Sequence, residues 1–354
     1  MTDLLQKNSI FLNNSPLEKL SKFVRDNNFS SVFVMVDENT KEFCLDYFSK
    51  EVSFDFKVIK IQAGETYKNI HTCLRAWEEL SSKGADRKSL LINLGGGVVT
   101  DTGGFIASCF RRGIAFVHVP TTLLAMVDAA LGGKNGVDLN HLKNQVGVIK
   151  LPAMVIVDEN FLKTLPENEI RSGFAEMIKH GLIDTEKSSY FEECISLENF
   201  EISKISKLIE GSIHIKMRTV NEDIDESGLR KILNYGHTLG HAIESYRMGM
   251  DTDCHLLHGE AIAIGLVLET YNSHIMYGFP LEDLNTLKTF ISYKYSPERF
   301  SREEQKKIIE LMKFDKKNEK NNVNFVLLEG LGSPRLNCQV EEQLIYEAFD
   351  FYQS

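Results

Sequence analysis

The chain has 354 residues, which fits two domains better than one core, and its 43% hydrophobic and 25% charged residues are ordinary for a water-soluble globular protein. A net charge of −10 argues against nucleic acid as the main partner, so an anionic ligand would need a local basic pocket. Six scattered cysteines without a CxxC pair argue against a disulfide framework or a cysteine zinc site. No apolar run approaches the roughly 20 residues that span a bilayer, and the N-terminal MTDLLQKNSIF lacks a signal-peptide pattern, so the expected setting is the reducing cytoplasm, with no membrane partner.

In chain order, Pro16–Asn27 reads as a helix and Ser31–Val36 as a buried strand with Asp37 at its end. Phe56–Ile61 is a second strand, Lys68–Lys83 a helix, and Ser89–Leu94 a third strand running directly into Gly95-Gly96-Gly97. A helical run to Phe110 follows, then strands at Phe116–Val119 and Met154–Val157. Strands alternating with helices predict a parallel, doubly wound α/β sheet. Beyond about Glu159 helical periodicity dominates: Glu167–Leu182, Glu201–Val220, Leu229–Tyr246, Gly259–Tyr277 and Glu303–Lys313, with one late strand candidate at Asn324–Leu328. The expected plan is a Rossmann-like α/β domain over residues 1–165 and a mostly α-helical domain over 166–354.

A strand, a glycine turn and a helix N-terminus make an anion cradle, because glycines let the backbone approach a pyrophosphate while free N–H groups point at it. The G-x-G-x-x-G fingerprint is not met, since Thr100 stands where its last glycine would be, and a plain tight turn remains the competing reading. Thr121 and Thr122 add hydroxyls at the C-terminal end of another strand, the edge where ligands collect in such sheets.

Arg230, Asn234, His237 and His241 are spaced 4, 3 and 4, which on one α-helix confines them to an arc of about 60°. Four polar groups there point to a binding face, with a solvated outer face as the alternative. The HxxxH pair can share a metal. Glu176 and Lys179, with His180, lie on an earlier helix, where spacing alone favours an exposed amphipathic surface. His258 opens the next helix and reads as a cap or a ligand, with His255 competing. Lys134, after Gly132-Gly133 in an apolar segment, is placed to face a cleft, where it would meet a phosphate.

GGGVVTDTGGF, RRG, PTTLLAMVDAALGGK, LKNQVG, GFAEMIKHGLI, GLRKILNYGHTLGHAIE and HGEAIAIG, in that order, resemble 3-dehydroquinate synthase, of the sugar phosphate cyclases. The resemblance implies that fold, with the active site in a cleft between the domains, and conversion of 3-deoxy-D-arabino-heptulosonate 7-phosphate to 3-dehydroquinate and phosphate in the shikimate pathway. It implies zinc, with cobalt as an alternative, on Glu176, His237 and His258, and gives His241 to the substrate. NAD would lie against Glu65, Lys68, Gly96, Gly97, Val98, Asp101, Thr121, Thr122, Lys134, Lys143, Phe161 and Thr164, with Asp37 on the adenosine ribose. The sugar acid phosphate would meet Asp128, Lys134, Asn144, Lys179, Lys216, Arg230, Asn234 and His241, with one lysine of Lys316 and Lys317, Lys317 being favoured, closing on it and Arg112 reaching it across a homodimer interface.

Three features depart from the family pattern: Met126 in place of glutamine, Asn135 in place of threonine, and a longer Arg247–Leu257 segment that leaves His255 as the fallback ligand. The rivals are a cyclase whose substrate lacks a carboxylate, which would alter Lys216, Arg230 and His241, and a metal-dependent polyol dehydrogenase, which would release NADH.

Overall fold

The computed structural model describes residues 2–12, 15–139, 142–223, 226, 228–250, 256–312 and 323–354. The chain forms two compact units, Met1–Pro166 and Glu167–Ser354. His255, Lys316 and Lys317 fall outside the described residues.

The first unit is built on six parallel strands: β1 (Ile10–Leu12), β2 (Val32–Val36), β3 (Lys57–Lys60), β4 (Leu90–Gly95), β5 (Ala115–Pro120) and, later in the chain, Met154–Val157. Between β5 and that last strand lies a hairpin of β6 (Lys134–Leu139) and β7 (Leu142–Ile149), so Met154–Val157 is β8. The sheet order is β1-β8-β5-β4-β2-β3, and every pairing is parallel. Continuous apolar runs make the inner strands, since helices cover both faces of such a sheet. β2 is buried at all five positions, whereas edge strand β3 keeps both of its lysines exposed. The chain reverses direction across the sheet after β3, leaving a switch point between β2 and β4. Asp37 and the glycine turn stand at the carboxyl ends of those two strands, the crevice where doubly wound sheets take ligands.

The helix Gly97–Cys109 packs on the sheet more closely than side chains normally allow. A Cβ on Gly103 would stand 2.0 Å from Asn93 Oδ1, and one on Gly104 1.7 Å from Asn135 Oδ1. These glycines do the close-packing work that the usual fingerprint gives to the position occupied here by Thr100, whose hydroxyl instead donates to Gly97 O at 3.1 Å. The helix expected to begin at Lys68 begins at Ile70, capped by Asn69, after a 3₁₀ turn at Glu65–Tyr67. Lys134 opens β6 as an exposed residue.

The second unit is helical, with one two-stranded sheet of β9 (Phe325–Leu328) and β10 (Pro334–Cys338). Its main helices are Glu167–Ile183, Ile202–Glu222, His237–Met248, His258–Tyr277, Leu281–Lys294, Arg302–Met312 and Glu342–Gln353. Two expectations fail here. Glu167–Ile183 is not an exposed amphipathic helix: from Ser172 to Ile183 every residue is buried, because neighbouring helices enclose it. Leu229–Tyr246 is not one helix either. Leu229–Asn234 is a 3₁₀ turn, Gly236 adopts φ 77°, and the α-helix starts at His237. At three residues per turn, Arg230 and Asn234 are about 120° apart, so the single narrow stripe does not exist.

The His237 and His258 helices touch at glycines. A Cβ on Gly265 would lie 2.0 Å from Gly236 O, a backbone atom that cannot swing aside. Gly265→Ala should therefore destabilise the protein by about 1–3 kcal/mol and lower Tm by roughly 3–10 °C. Gly330→Ala, whose Cβ meets nothing nearer than 4.0 Å, should change stability by less than about 0.5 kcal/mol. Thermal denaturation of the two variants tests the assignment, and equal melting curves would contradict it.

Candidate active site

In the first unit, Gly96 caps the Gly97–Cys109 helix without a side chain, so the helix N-terminus presents bare backbone. Thr121 N–H donates to Gly95 O at 3.0 Å, and a Cβ on Gly96 would stand 2.9 Å from Thr122 Cγ2. The turn, the helix start at Gly97 and Val98, and the two threonines thus form one cradle. Asp128 sits on the adjoining helical turn Ala125–Ala129, whose last residue is 3.4 Å from a Cβ on Gly97. Asp37 caps the helix Glu38–Phe43, with Oδ1 accepting from Thr40 N–H at 2.7 Å. Cys44 was not read from the sequence. Burial pushes its thiol up to about 11, and its neighbours are Thr121, Thr164 and Asp37, three residues the sequence assigned to one ligand. Thr164 closes the turn that carries Phe161, which packs edge-on against Tyr47.

A second group gathers beside the cradle. Lys68, buried, donates to Asp101 Oδ2 at 2.6 Å, and Glu65 Oε1 lies 3.9 Å from Lys68 Nζ and 3.8 Å from Lys143 Nζ. Burial alone would depress the Lys68 ammonium, but the carboxylates of Asp101, Glu65 and Asp138 raise it above the usual lysine range. Asn144, at φ 51°, donates its N–H to Asp138 Oδ1 at 2.7 Å. Arg112 is not part of this gathering. It is exposed at the far end of the 13-residue helix Gly97–Cys109, about 20 Å from the cradle.

In the second unit the decisive geometry surrounds Glu176, which has no exposed surface. Its Oε1 lies 3.4 Å from His237 Nε2 and 3.5 Å from His258 Nε2, while Lys179 Nζ lies against Oε2. Neither carboxylate oxygen has a hydrogen bond of ordinary geometry. Donors bound tetrahedrally at about 2.0–2.1 Å lie about 3.3–3.4 Å apart, so this spacing fits three ligands of one zinc-sized ion. The outer nitrogens fit as well. His237 Nδ1 lies 3.0 Å from Tyr235 O, and His258 Nδ1 lies 3.3 Å from Glu244 Oε2, the second partners that orient metal-binding imidazoles. Burial raises the Glu176 carboxyl, but Lys179 and His237 outweigh it and hold the group ionised well below the usual range.

His241 also approaches. Nitrogens of His237, His241 and His258 lie within 4.8 Å of one another. Glu176 adds a buried carboxylate oxygen at 3.4 and 3.5 Å from two of these imidazoles, which favours Glu176, His237 and His258 as the set. Lys179 lies against Glu176, and Lys216 and Arg230 are buried too, the three on mutually packed elements. Asn234 donates to Glu226 Oε1 at 3.0 Å. Of the residues the sequence reading passed over, Glu244 was findable, since it follows His241 by three and continues the His237–His241 face.

Comparison with known proteins identifies the family. The chain matches the models for the N-terminal part of 3-dehydroquinate synthase over residues 58–172 and its C-terminal part over residues 173–318. It is 41% identical over 335 residues to a 3-dehydroquinate synthase of Parabacteroides distasonis, covering 94% of each chain. It is 38% identical to one of Pyrococcus abyssi, covering 94% of this chain and 96% of the relative. Among solved structures it resembles a 2-deoxy-scyllo-inosose synthase complexed with carbaglucose-6-phosphate, NAD+ and Co2+, at 28% identity and a TM-score of 0.81, covering 96% of this chain and 95% of that one.

The charge on His258 gives a test of the ligand set. Burial alone would lower its pKa, but the carboxylates of Glu244 and Glu176 hold it up at about 9. At neutral pH the metal-free imidazole carries a proton that a metal must displace. Divalent metal binding should therefore release a proton, with affinity rising as pH approaches about 9 and levelling beyond it. Calorimetry in buffers of different ionisation enthalpy measures this, and binding with no proton release would contradict the assignment of His258.

Proposed function

We propose that the chain, which belongs to the 3-dehydroquinate synthase family, is itself a 3-dehydroquinate synthase, a phosphate-eliminating carbon–oxygen lyase of the shikimate pathway. It would convert 3-deoxy-D-arabino-heptulosonate 7-phosphate to 3-dehydroquinate and inorganic phosphate. The observation that carries this reading is a metal-ligand set with the Lys179 ammonium against its carboxylate, in a unit that also buries Lys216 and Arg230 on elements packed against the Glu176 helix. Such a site suits a hydroxyl-bearing, multiply anionic substrate.

When bound, NAD exchanges a hydride with the substrate and a divalent metal polarises a substrate hydroxyl oxygen, so the cycle ends without net oxidation. In the first unit, the backbone of Gly96, Gly97 and Val98 would hold the NAD pyrophosphate, with Thr121, Thr122, Phe161 and Thr164 along the same edge. Glu65, Lys68, Asp101, Lys134 and Lys143 would take polar positions around the nucleotide, and Asp37 would face its adenosine ribose. In the second unit, Glu176, His237 and His258 would hold the metal, zinc being the ion their nitrogen and oxygen donors suit. Arg230 would take the substrate carboxylate through its planar fork. Lys179, Lys216, Asn234 and His241 would bind and orient the sugar, with Asp128, Lys134 and Asn144 supplied by the first unit and Lys317 from a segment outside the described residues. We place the enzyme in the cytoplasm as a homodimer, in which Arg112 would act on a partner's substrate phosphate.

A metal-dependent polyol dehydrogenase would release NADH. A cyclase for a substrate without a carboxylate would have no use for the Arg230 fork. Incubation with the seven-carbon phosphate, NAD and Zn2+ should release phosphate with no accumulation of NADH, followed at 340 nm, whereas stoichiometric NADH from a simple polyol would overturn the reading. His237→Ala should lose bound metal and activity together, and a variant that keeps full zinc occupancy would refute the ligand assignment.

A further inference from the structure

Glu269 is the lone charged side chain in the apolar middle of the His258 helix, and it is fully buried. Its carboxylate reaches the backbone that starts the neighbouring His237 helix. Oε2 accepts from Gly236 N–H at 2.8 Å and Oε1 accepts from Leu239 N–H at 3.0 Å. A helix start leaves several N–H groups without intrahelical partners, and a side chain at the cap usually takes one of them. Here the cap is Gly236, held at φ 77°, where a Cβ would meet Leu266 Cδ2 at 2.6 Å. The cap side chain is therefore supplied by a residue 33 positions away.

The peptide that Glu269 grips has a second engagement. Gly236 N–H and Tyr235 C=O belong to the same peptide plane, and Tyr235 O lies 3.0 Å from His237 Nδ1. A carbonyl can only accept, so Nδ1 carries a proton, and Nε2, facing Glu176, is the ring nitrogen left to take a metal. A carboxylate on the N–H end of a peptide polarises its carbonyl, and hydrogen bonds in a chain strengthen one another. An electron-richer carbonyl in turn makes the imidazole a better donor at Nε2.

We propose that Glu269 is a positioning residue for the metal ligand His237, acting through the Tyr235–Gly236 peptide as a carboxylate–peptide–histidine relay. It fixes the plane that selects the His237 tautomer, and it raises the basicity of the ligating nitrogen. The inference rests on the ligand set of Glu176, His237 and His258. Thr270, the next residue, provides the control: its hydroxyl lies 2.6 Å from Tyr235 OH, so it holds the same tyrosine by its side chain and not by the peptide.

The test uses the full chain, stripped of metal and titrated with Co2+ against a competing chelator, with the visible ligand-field bands recorded. Glu269→Gln keeps the shape but loses the charge and one acceptor. It should weaken Co2+ binding about tenfold or more and shift the bands. Thr270→Val should lower the melting temperature and leave the bands in place. Wild-type affinity and bands in Glu269→Gln would overturn the proposal, as would an equal band shift in Thr270→Val. Should Glu269→Gln fail to fold, Glu269→Asp is read the same way: weaker binding with shifted bands supports the relay, and unchanged binding and bands overturn it. His237→Ala separates the two layers. If it binds Co2+ like the wild type, the ligand set itself is wrong. If it loses Co2+ while Glu269→Gln behaves as wild type, only the relay fails.

Discussion

A carboxylate with no contact with solvent is the constraint around which the second unit is organised. Burying an ionised group costs several kcal/mol unless opposite charge and hydrogen bonds replace the lost water. Glu176 receives that replacement from three sides: Lys179 one turn along its own helix, and the imidazoles of His237 and His258 from two other helices. The histidines are fixed in turn by Tyr235 O and Glu244. Because each neighbour is itself buried or half-buried, none can be exchanged for bulk solvent without exposing the next. The helix Glu167–Ile183 is enclosed for the same reason, since a carboxylate met by imidazoles of two other helices cannot sit on an outer face.

The first unit meets a different requirement, an anion cradle made of backbone. Its charges sit to one side, as Lys68, Asp101, Glu65 and Lys143. The cradle itself is backbone, a glycine cap and a helix N-terminus whose partial positive charge comes from aligned peptides. Such a cradle demands close approach, which Gly96 grants toward Thr122 and which Gly103 and Gly104 grant toward Asn93 and Asn135. Asn135 also donates to Gly133 O and Lys150 O, both at 2.8 Å, so the side chain that fills the space over Gly104 ties the two ends of the β6–β7 hairpin together.

Legibility followed the strength of the local signal. Pro16–Asn27 carries a proline at its start and a regular apolar stripe, and its ends match the reading residue for residue. β2 is apolar throughout and β4 is apolar but for Asn93, and both were equally plain. β1 was invisible because three residues cannot show a period, and the β6–β7 hairpin because its glycines and polar residues interrupt any alternation. The break between Asn234 and His237 was missed for a different reason. The 4-3-4 spacing is good helical periodicity, and only the left-handed conformation of Gly236, imposed by its contact with Leu266 and Gly265, ends one helix and starts another. Of the site, the chemical types and the family motifs could be read; the role of Glu269 could not, because it reaches across 33 residues.

The two histidine helices also exchange carboxylates. Glu244 belongs to the His237 helix and holds His258, while Glu269 belongs to the His258 helix and holds the start of the His237 helix. Neither ligand is oriented from within its own helix alone, so neither is in place until the two helices have docked. Gly265 and Gly240 permit that docking, since a Cβ on Gly265 would stand 2.0 Å from Gly236 O and one on Gly240 2.7 Å from Ile262 Cδ1. A metal that binds only the docked pair stabilises it by RT ln(1 + [L]/Kd), about 2.7 kcal/mol at a hundredfold excess over Kd. The packing of these helices and the affinity of the site are therefore one equilibrium. A substitution at their glycine contacts would weaken metal binding without touching a ligand.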